Sequence, residues 1–372
     1  MQDRPYADQL KLKTERVCTA LSSLKEAPEP RAHPSADIWY YRNKMEFSFG
    51  DVYPPQAGGP TVKLGLKPKG RWYEILDLQE CLLLSPETPR LLARIRAWAE
   101  AEGLAPYNGH KKSGFLRHLV LREAKNCGER MVNLVTAPGP FPDVSFLKAV
   151  REVYPATTVL RGINGKASDV AVSSDFEVLA GSGHITELLR FGSRELKFRV
   201  SPHSFFQTNT RTANLLYGLL RDWVQAEQAD TVLDLYCGGG GITLSVAESC
   251  RKAVGVEYEP AAVADAKANA DYNGLEHAQF YRGAVELLLP ALLALEPQVV
   301  ICDPPRAGLH AAVRDILAAS GPRTLICVSC NPLSLARDLA VLEAAYRVER
   351  LEVFDLFPHT EHVETAALLR RK

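Results

Sequence analysis

Cys330 follows the apolar run Thr324-Leu325-Ile326-Cys327-Val328 and is framed as Ser329-Cys330-Asn331-Pro332. A short apolar run closed by turn residues reads as a buried strand, so Cys327 belongs to the core and Cys330 is delivered to a strand end. A thiol held there can add to an electron-poor ring and split one difficult substitution into two easier steps. Two further strand ends lie upstream. Asp234-Leu235-Tyr236-Cys237 runs into four glycines, Gly238–Gly241, and Asp303-Pro304-Pro305-Arg306-Ala307-Gly308 follows the strand Val299–Cys302. A glycine turn after a strand lets a ligand approach the backbone at the carboxyl edge of an α/β sheet. No Gly-Lys-Ser/Thr follows, which excludes a Walker loop. Counted from Gly238 and Gly240, the third position of G-x-G-x-x-G is Thr243, which disfavours a dinucleotide.

Glu257 closes Val254-Gly255-Val256-Glu257 one βα unit after the turn, where a carboxylate can accept hydrogen bonds from both ribose hydroxyls of an adenosine. Asp303 stands before two prolines that stiffen the backbone, placed to hold a cofactor or the target ring; Arg306 beside them can meet phosphate or pair on the surface. Carbon C5 of uracil is too weak a nucleophile to take a methyl group unaided. A thiolate adding at C6 makes the ring an enolate and C5 nucleophilic. A base must then remove the C5 proton so that the thiol can leave. Glu364, in Phe357-Pro358-His359-Thr360-Glu361-His362-Val363-Glu364, is the candidate base, with Glu361, His359 and His362 as rivals on chemistry alone.

The elements that must position these groups fall into two halves. From about Ser204, helices of 10–15 residues alternate with short apolar strands, from the helix Thr210–Ala226 and strand Thr231–Tyr236 to the final strands Tyr346–Asp355 and Val363–Arg370. That rhythm predicts an α/β fold, a doubly wound, largely parallel Rossmann-like sheet with an antiparallel last pair. Between Ile38 and Arg199 the pattern is instead β-rich. Strands are expected over Tyr40–Gly50, Thr61–Leu66, Trp72–Leu78, Leu116–Glu123, Arg130–Thr136, Thr157–Ile163 and His184–Phe191, with one helix, Thr88–Glu102. Residues 1–35 combine a short helix with a proline-rich connector. The expected organisation is therefore 1–35 extension, 36–200 β-rich α+β binding domain, and 201–372 catalytic domain.

Net charge is zero over 372 residues, yet residues 1–200 hold 29 Lys and Arg against 23 Asp and Glu, and residues 201–372 hold 15 against 21. A basic first half suits a polyanionic partner. The eight cysteines are scattered, which does not read as a secreted disulfide framework. No apolar run approaches a membrane span, and the polar N-terminus lacks a signal peptide, so a cytoplasmic protein is expected. The single C-x-x-C, Cys327–Cys330, has no second pair or nearby histidines, so no metal site is expected.

Together these stretches resemble the RNA 5-methyluridine methyltransferase family, which modifies uracil in tRNA or large-subunit (23S) rRNA. The matching segments are Ser204-Phe205-Phe206-Gln207-Thr208-Asn209, Asp234–Gly241, Asp303–Gly308, Ser329–Pro332 and Phe357–Glu364, with Tyr40–Phe47 and Leu116–Glu123 extending the likeness into the basic half. The resemblance implies that Gln207, Tyr236, Glu257 and Asp303 bind S-adenosyl-L-methionine, that Cys330 is the nucleophile, and that Glu364 accepts the proton. Gly241 stands where the family often has Asn, so a contact there would be through the backbone. Some members carry an N-terminal β-barrel RNA-binding module, for which 35 residues are too few. Others hold an iron–sulfur cluster on closely spaced cysteines; Cys81 stands alone, so no cluster is expected. Both departures lean towards the compact tRNA-type enzymes.

On this reading Arg42, Lys44, Lys67, Lys69, Arg71, Lys111, Lys112, Arg117 and Arg122 are candidate phosphate contacts, and Phe205, Phe206 and Tyr236 can stack on a base or on adenine, although Phe205 could equally be core. No long heptad seam suggests obligate dimerisation, so a monomer is expected. Cytosine-C5 methyltransferases place their thiol in a Pro-Cys context one strand earlier, where Asp303-Pro304-Pro305 stands, and a small-molecule methyltransferase would have no use for the basic half. A rival of a different class is an RNA-folding chaperone that binds tRNA with methylation dispensable, a role that the sequence leaves open beside the chemistry.

Overall fold

The computed structural model describes residues 1–52, 61–71, 74–109, 111–166, 170–173 and 175–372. The chain forms two units, one of Met1–Ile38, Leu188–Phe198 and Ser204–Lys372, the other of Trp39–Glu187 and Arg199–His203. The first unit opens with α1 (Tyr6–Leu21) and β1 (Arg31–His33). The second unit follows with β2 (Lys44–Asp51), β3 (Val62–Leu66), β4 (Leu76–Asp77), α2 (Thr88–Ala101), β5 (Leu116–Glu123), β6 (Arg130–Thr136), α3 (Asp143–Val153), β7 (Thr158–Ile163) and β8 (Asp175–Ala180). The chain crosses between units within the hairpin β9 (Ile185–Phe191) and β10 (Arg194–Val200).

In the second unit the strands form one seven-stranded sheet, ordered β4-β3-β2-β5-β6-β7-β8. Leu91, Leu92, Ile95 and Trp98 of α2 and Phe146, Ala149 and Val150 of α3 share a core with Phe47, Leu119 and Leu134 of the sheet. The helix α3 was not expected from the sequence, and with it comes a parallel pair, β6 on β7, in an otherwise antiparallel sheet. Its buried face is only Phe146, Ala149 and Val150, too short a stripe to stand out from the flanking strands. Of the expected strand Trp72–Leu78, Trp72 and Tyr73 lie outside the described residues, and only Leu76–Asp77 is strand.

The first unit resumes with α4 (Thr210–Ala226), β11 (Thr231–Leu235), α5 (Gly241–Ala247), β12 (Lys252–Glu257), α6 (Pro260–Tyr272) and β13 (Ala278–Arg282). Then come α7 (Val285–Leu293), β14 (Val299–Cys302), α8 (Ala311–Ser320), β15 (Thr324–Ser329), α9 (Pro332–Leu342), β16 (Tyr346–Phe354) and β17 (Glu364–Arg371). The strand order is β1-β16-β17-β15-β14-β11-β12-β13. β17 runs antiparallel to both neighbours, and every other pair is parallel. Near-continuous apolar strands such as Val299–Cys302 are what burial of both sheet faces requires.

The sequence reading of residues 1–35 as a connector differs from their placement. Val17 and Leu21 of α1 enter the core of the first unit beside Leu335, Leu339 and Leu342 of α9, and β1 adds an edge strand parallel to β16. The helix buries Gln9, Lys13, Val17 and Leu21, a stripe spaced by four residues whose first two members are polar.

Candidate active site

Order in the first sheet reverses at β11, which lies between β14 and β12, and a crevice opens at the carboxyl ends of strands at such a point. Register settles who meets whom there. Leu235 pairs with Val256 and with Cys302, so the next residues, Tyr236, Glu257 and Asp303, stand side by side at the rim. One pairing further on, Ser329 of β15 faces Thr365 of β17, which brings Cys330 and Glu364 to the same edge. Five of the seven residues singled out from sequence are thus gathered by strand pairing alone.

Cys330 is half-buried between β15 and α9. Asn331 caps α9 through its side-chain oxygen, which accepts the Leu333 N–H at 3.2 Å, and its amide nitrogen donates to the Arg306 carbonyl at 3.2 Å. One side chain therefore ties the thiol loop to the Asp-Pro-Pro-Arg loop. Burial raises the Cys330 pKa, and the charges of Glu364 and Asp303 raise it further, while a backbone N–H and Arg306 oppose them. A helix N-terminus beside the sulfur favours its thiolate. Glu364 is 3% exposed, and burial followed by the charge of Asp303 pushes its carboxyl well above the usual range. Asp303 is lifted by burial to about 7. Among the rival bases, Glu361 and His362 are exposed, and His359 lies in the loop before them with φ +67°.

The glycine turn presents backbone rather than side chains. Tyr236, Gly238 and Gly240 all have positive φ, at +67°, +54° and +85°, which costs a tyrosine energy and a glycine nothing. Glu257 fastens the turn from the next strand: one oxygen accepts the Gly238 N–H at 3.0 Å and the other the Glu259 N–H at 2.8 Å. Asp234 accepts the Thr243 hydroxyl at 2.5 Å on one oxygen, and its other oxygen is buried with no hydrogen-bond partner among the described residues. Burial, with Asp303 and Glu257 nearby, lifts Asp234 to about 7 against the opposing Thr243 bond. Thr243, met in the sequence only as a failed fingerprint position, thus has a structural duty.

A side chain at Gly241 would meet the Tyr217 hydroxyl at 3.0 Å. Tyr217, which the sequence reading did not select, is buried, and its phenol is raised first by burial and then by Asp303, Asp234 and Glu364. Nothing in the sequence of α4 marks it apart from a core aromatic. Gln207 is half-buried ahead of the α4 cap, where the Asn209 side chain accepts the Thr212 N–H at 3.1 Å. Phe205 is 65% exposed, which excludes the core reading. Its backbone and ring flank Gly239 and Gly238. Phe206 packs on Phe198, ring centroids 5.6 Å apart, and Tyr236 is half-buried against the core.

In the second unit the basic residues divide. Arg117 is buried, donates to the carbonyls of Asn164 and Lys166 at 2.8 Å each, and lies 4.1 Å above the Tyr107 ring. Arg122 is buried and donates to the Pro202 carbonyl at 3.2 Å. Both hold the fold, which corrects their reading as phosphate contacts. Lys69, Arg71, Lys111 and Lys112 are exposed, and Arg42, Lys44 and Lys67 half-buried. Cys81 sits in the core of this unit, and among the described residues no group of three or more His, Cys, Asp or Glu could hold a metal ion. No helix among them is long and apolar enough to cross a membrane.

A profile of tRNA (uracil-5-)-methyltransferases matches residues 163–372. An uncharacterised RNA methyltransferase of Chlorobaculum tepidum is 35% identical over 98% of this chain and 79% of its own length. Another, from Clostridium tetani, is 34% identical over 100% of this chain and 81% of its own. Among solved structures, the Pyrococcus abyssi tRNA (uracil-54, C5)-methyltransferase in complex with S-adenosyl-L-homocysteine aligns with a TM-score of 0.80 at 29% identity, covering 99% of this chain and 84% of that one.

Proposed function

Because the chain belongs to the tRNA (uracil-5-)-methyltransferase family, we propose that it methylates uracil C5 in RNA through a covalent intermediate on Cys330. It is an RNA methyltransferase dependent on S-adenosylmethionine. The finer reading, the covalent route and the choice of RNA, rests chiefly on the pairing of β15 with β17, which sets Cys330 beside Glu364 at the crevice edge.

The crevice suits the cofactor. Gly238 and Gly240 leave the turn backbone open, Glu257 is fixed at the strand end for ribose hydroxyls, and the unpaired oxygen of Asp234 with Asp303 makes the floor acidic. Tyr236, Gln207 and the backbone at Gly241 complete the set. Bound there, the cofactor supplies an electrophilic methyl group on a positively charged sulfonium, a charge that an acidic floor favours.

In this mechanism the Cys330 thiolate bonds to C6 of the uracil, and the C5=C6 electron pair moves to the ring carbonyl as an enolate. The enolate pair at C5 then bonds to the methyl carbon as its bond to the sulfonium sulfur breaks, and that sulfur leaves as a neutral thioether. Glu364, ionised, removes the proton from C5; the C5–H pair re-forms the C5=C6 bond, and the C6–S bond breaks to release the thiolate. Burial beside Asp303 makes Glu364 a stronger base than an ordinary carboxylate. Exposed Phe205 at the glycine turn offers a stacking face for a base turned out of its helix. The second unit, with exposed Lys69, Arg71, Lys111 and Lys112, would hold the RNA backbone.

Transfer RNA is the expected substrate. The test is transfer of labelled methyl into unmodified tRNA and, separately, large-subunit rRNA transcripts, followed by digestion to nucleosides. Labelled 5-methyluridine from tRNA alone is the predicted result. Label from rRNA alone would overturn the substrate, and label in any other nucleoside would overturn the chemistry.

A further inference from the structure

The segment Asp355–Val363 joins β16 to β17 and leads directly into Glu364. It has no regular structure, so its path is fixed by side chains from elsewhere in the first unit. Most of those come from α1. Lys13, 1% exposed, donates to the Asp355 carboxylate at 2.6 Å and to the Phe357 carbonyl at 2.9 Å. Gln9, fully buried, accepts the His359 N–H at 2.9 Å and lies 3.2 Å from the His359 ring. Arg16 donates to the Glu361 carbonyl at 2.8 Å. Asp355 in turn accepts the Phe357 N–H at 3.1 Å, and the α4 cap residue Asn209 donates to the Leu356 carbonyl at 3.1 Å.

Burying a lysine and an aspartate is expensive, and a well-packed apolar pair commonly serves stability as well or better. Gln9 and Lys13 also occupy the stripe of α1 where Val17 and Leu21 supply ordinary core contacts. Gln9 also donates to the Arg4 carbonyl at 2.9 Å, but the other polar contacts at these core positions converge on one loop, and such contacts specify a conformation rather than add burial. That loop holds His359 in the left-handed region at φ +67°, a strained state that persists only when its surroundings dictate it.

We propose that α1 is a positioning clamp for the base-bearing segment, with Lys13 its central residue, so that the clamp governs the proton-abstraction step rather than the preceding methyl transfer. This rests on the reading of Glu364 as the base. Lys13 acts through its bonds to Asp355 and Phe357 and so through the chain that enters β17.

The test follows single turnovers of the full chain on the RNA transcript that wild type methylates, measuring two quantities: methyl transferred, and methyl-bearing RNA still covalently attached to protein under denaturing conditions. Glu364→Gln is the benchmark, since loss of the base should strand the methylated adduct. Lys13→Met should strand it too, with release slowed by about tenfold or more relative to methyl transfer, because small displacements of a catalytic group carry losses up to order 10²-fold. Arg16→Ala, a change at an exposed contact, keeps the test valid should Lys13→Met fold poorly, and should show the same selective slowing to a smaller degree. Equal slowing of transfer and release in both variants, or none in either, would overturn the clamp. An adduct absent even in Glu364→Gln would instead overturn the assignment of the base, and the clamp with it.

Discussion

At the scale of single residues, the site is a crowd of buried acids. Burial lifts Asp234 and Asp303 to about 7 and pushes Glu364 well above the carboxylate range, and the charge of Asp303 adds to the shifts of Asp234 and Glu364. The sign of the consequence is fixed. Their folded values exceed the unfolded ones, so these groups favour the folded state below 3.8, and that contribution is lost as pH rises towards about 7 in the unliganded protein. A bound sulfonium cation favours the ionised forms. Adenosylmethionine affinity should therefore rise between pH 6 and 8, by up to about tenfold for each fully linked carboxyl, with protons released on binding. Calorimetry in two buffers of different ionisation enthalpy measures both; affinity flat across that range with no proton release would contradict it. That Cys330, Glu257, Asp303 and Glu364 gather at one edge was legible in the sequence, because each ends, begins or immediately follows a strand of the same sheet. Tyr217 and Thr243 were not. They lie inside helices, where only packing decides whether a hydroxyl meets core or carboxylate.

At the scale of elements, α1 shows what periodicity conceals. Its buried positions recur every four residues, but Gln9 and Lys13 occupy half of them, so a search for apolar spacing finds a weak helix and a connector. The useful signal is the reverse one, a polar residue on a stripe that must be buried. β1 was hidden by its length, three residues after a proline-rich stretch, and α3 by its short apolar face. The opposite edge of the catalytic sheet has its own fastening. Glu227, just past α4, accepts Thr324 of β15 at 2.7 Å, Arg323 at 2.9 Å and the guanidinium of Arg370 of β17. Despite its burial, these bonds hold the Glu227 pKa down to about 2 from 4.5. A lowered value means stability that is complete above 4.5 and lost as pH falls towards 2. Glu227→Gln should cost about 1–3 kcal/mol at neutral pH, a deficit that narrows on acidification, while adenosylmethionine affinity stays unchanged. Denaturant titrations at several pH values check it, and a deficit constant down to pH 2 would contradict the assignment.

For the whole molecule, a net charge of zero conceals a basic half and an acidic half, a division close to but not the same as that of the two units, since Met1–Ile38 and Leu188–Phe198 belong with Ser204–Lys372. The alternation of helices and strands announced the doubly wound sheet correctly down to the antiparallel last pair. The other unit was harder to read, because antiparallel strands and a βαβ crossover share the same short apolar runs. Its charge count also overstated the basic surface available to a polyanion, since Arg117 and Arg122 bond to backbone carbonyls. Phosphate contacts should come from the exposed set. Replacing Lys111 and Lys112 together by Ala should weaken RNA binding across sequences and make the log–log salt slope shallower by about 1–2. An unchanged slope would remove that loop from the RNA-binding surface. The central claim is nevertheless chemical, that Cys330 bonds to the ring during turnover. RNA carrying 5-fluorouridine tests it most directly, because fluorine at C5 cannot be removed as a proton and the adduct cannot collapse. With adenosylmethionine present, intact-mass and peptide analysis should find one RNA bound per chain, bearing one added methyl and attached at Cys330, and none with Cys330→Ala. Methylation of ordinary uridine RNA by the Cys330→Ala protein, or attachment at another residue, would contradict the account.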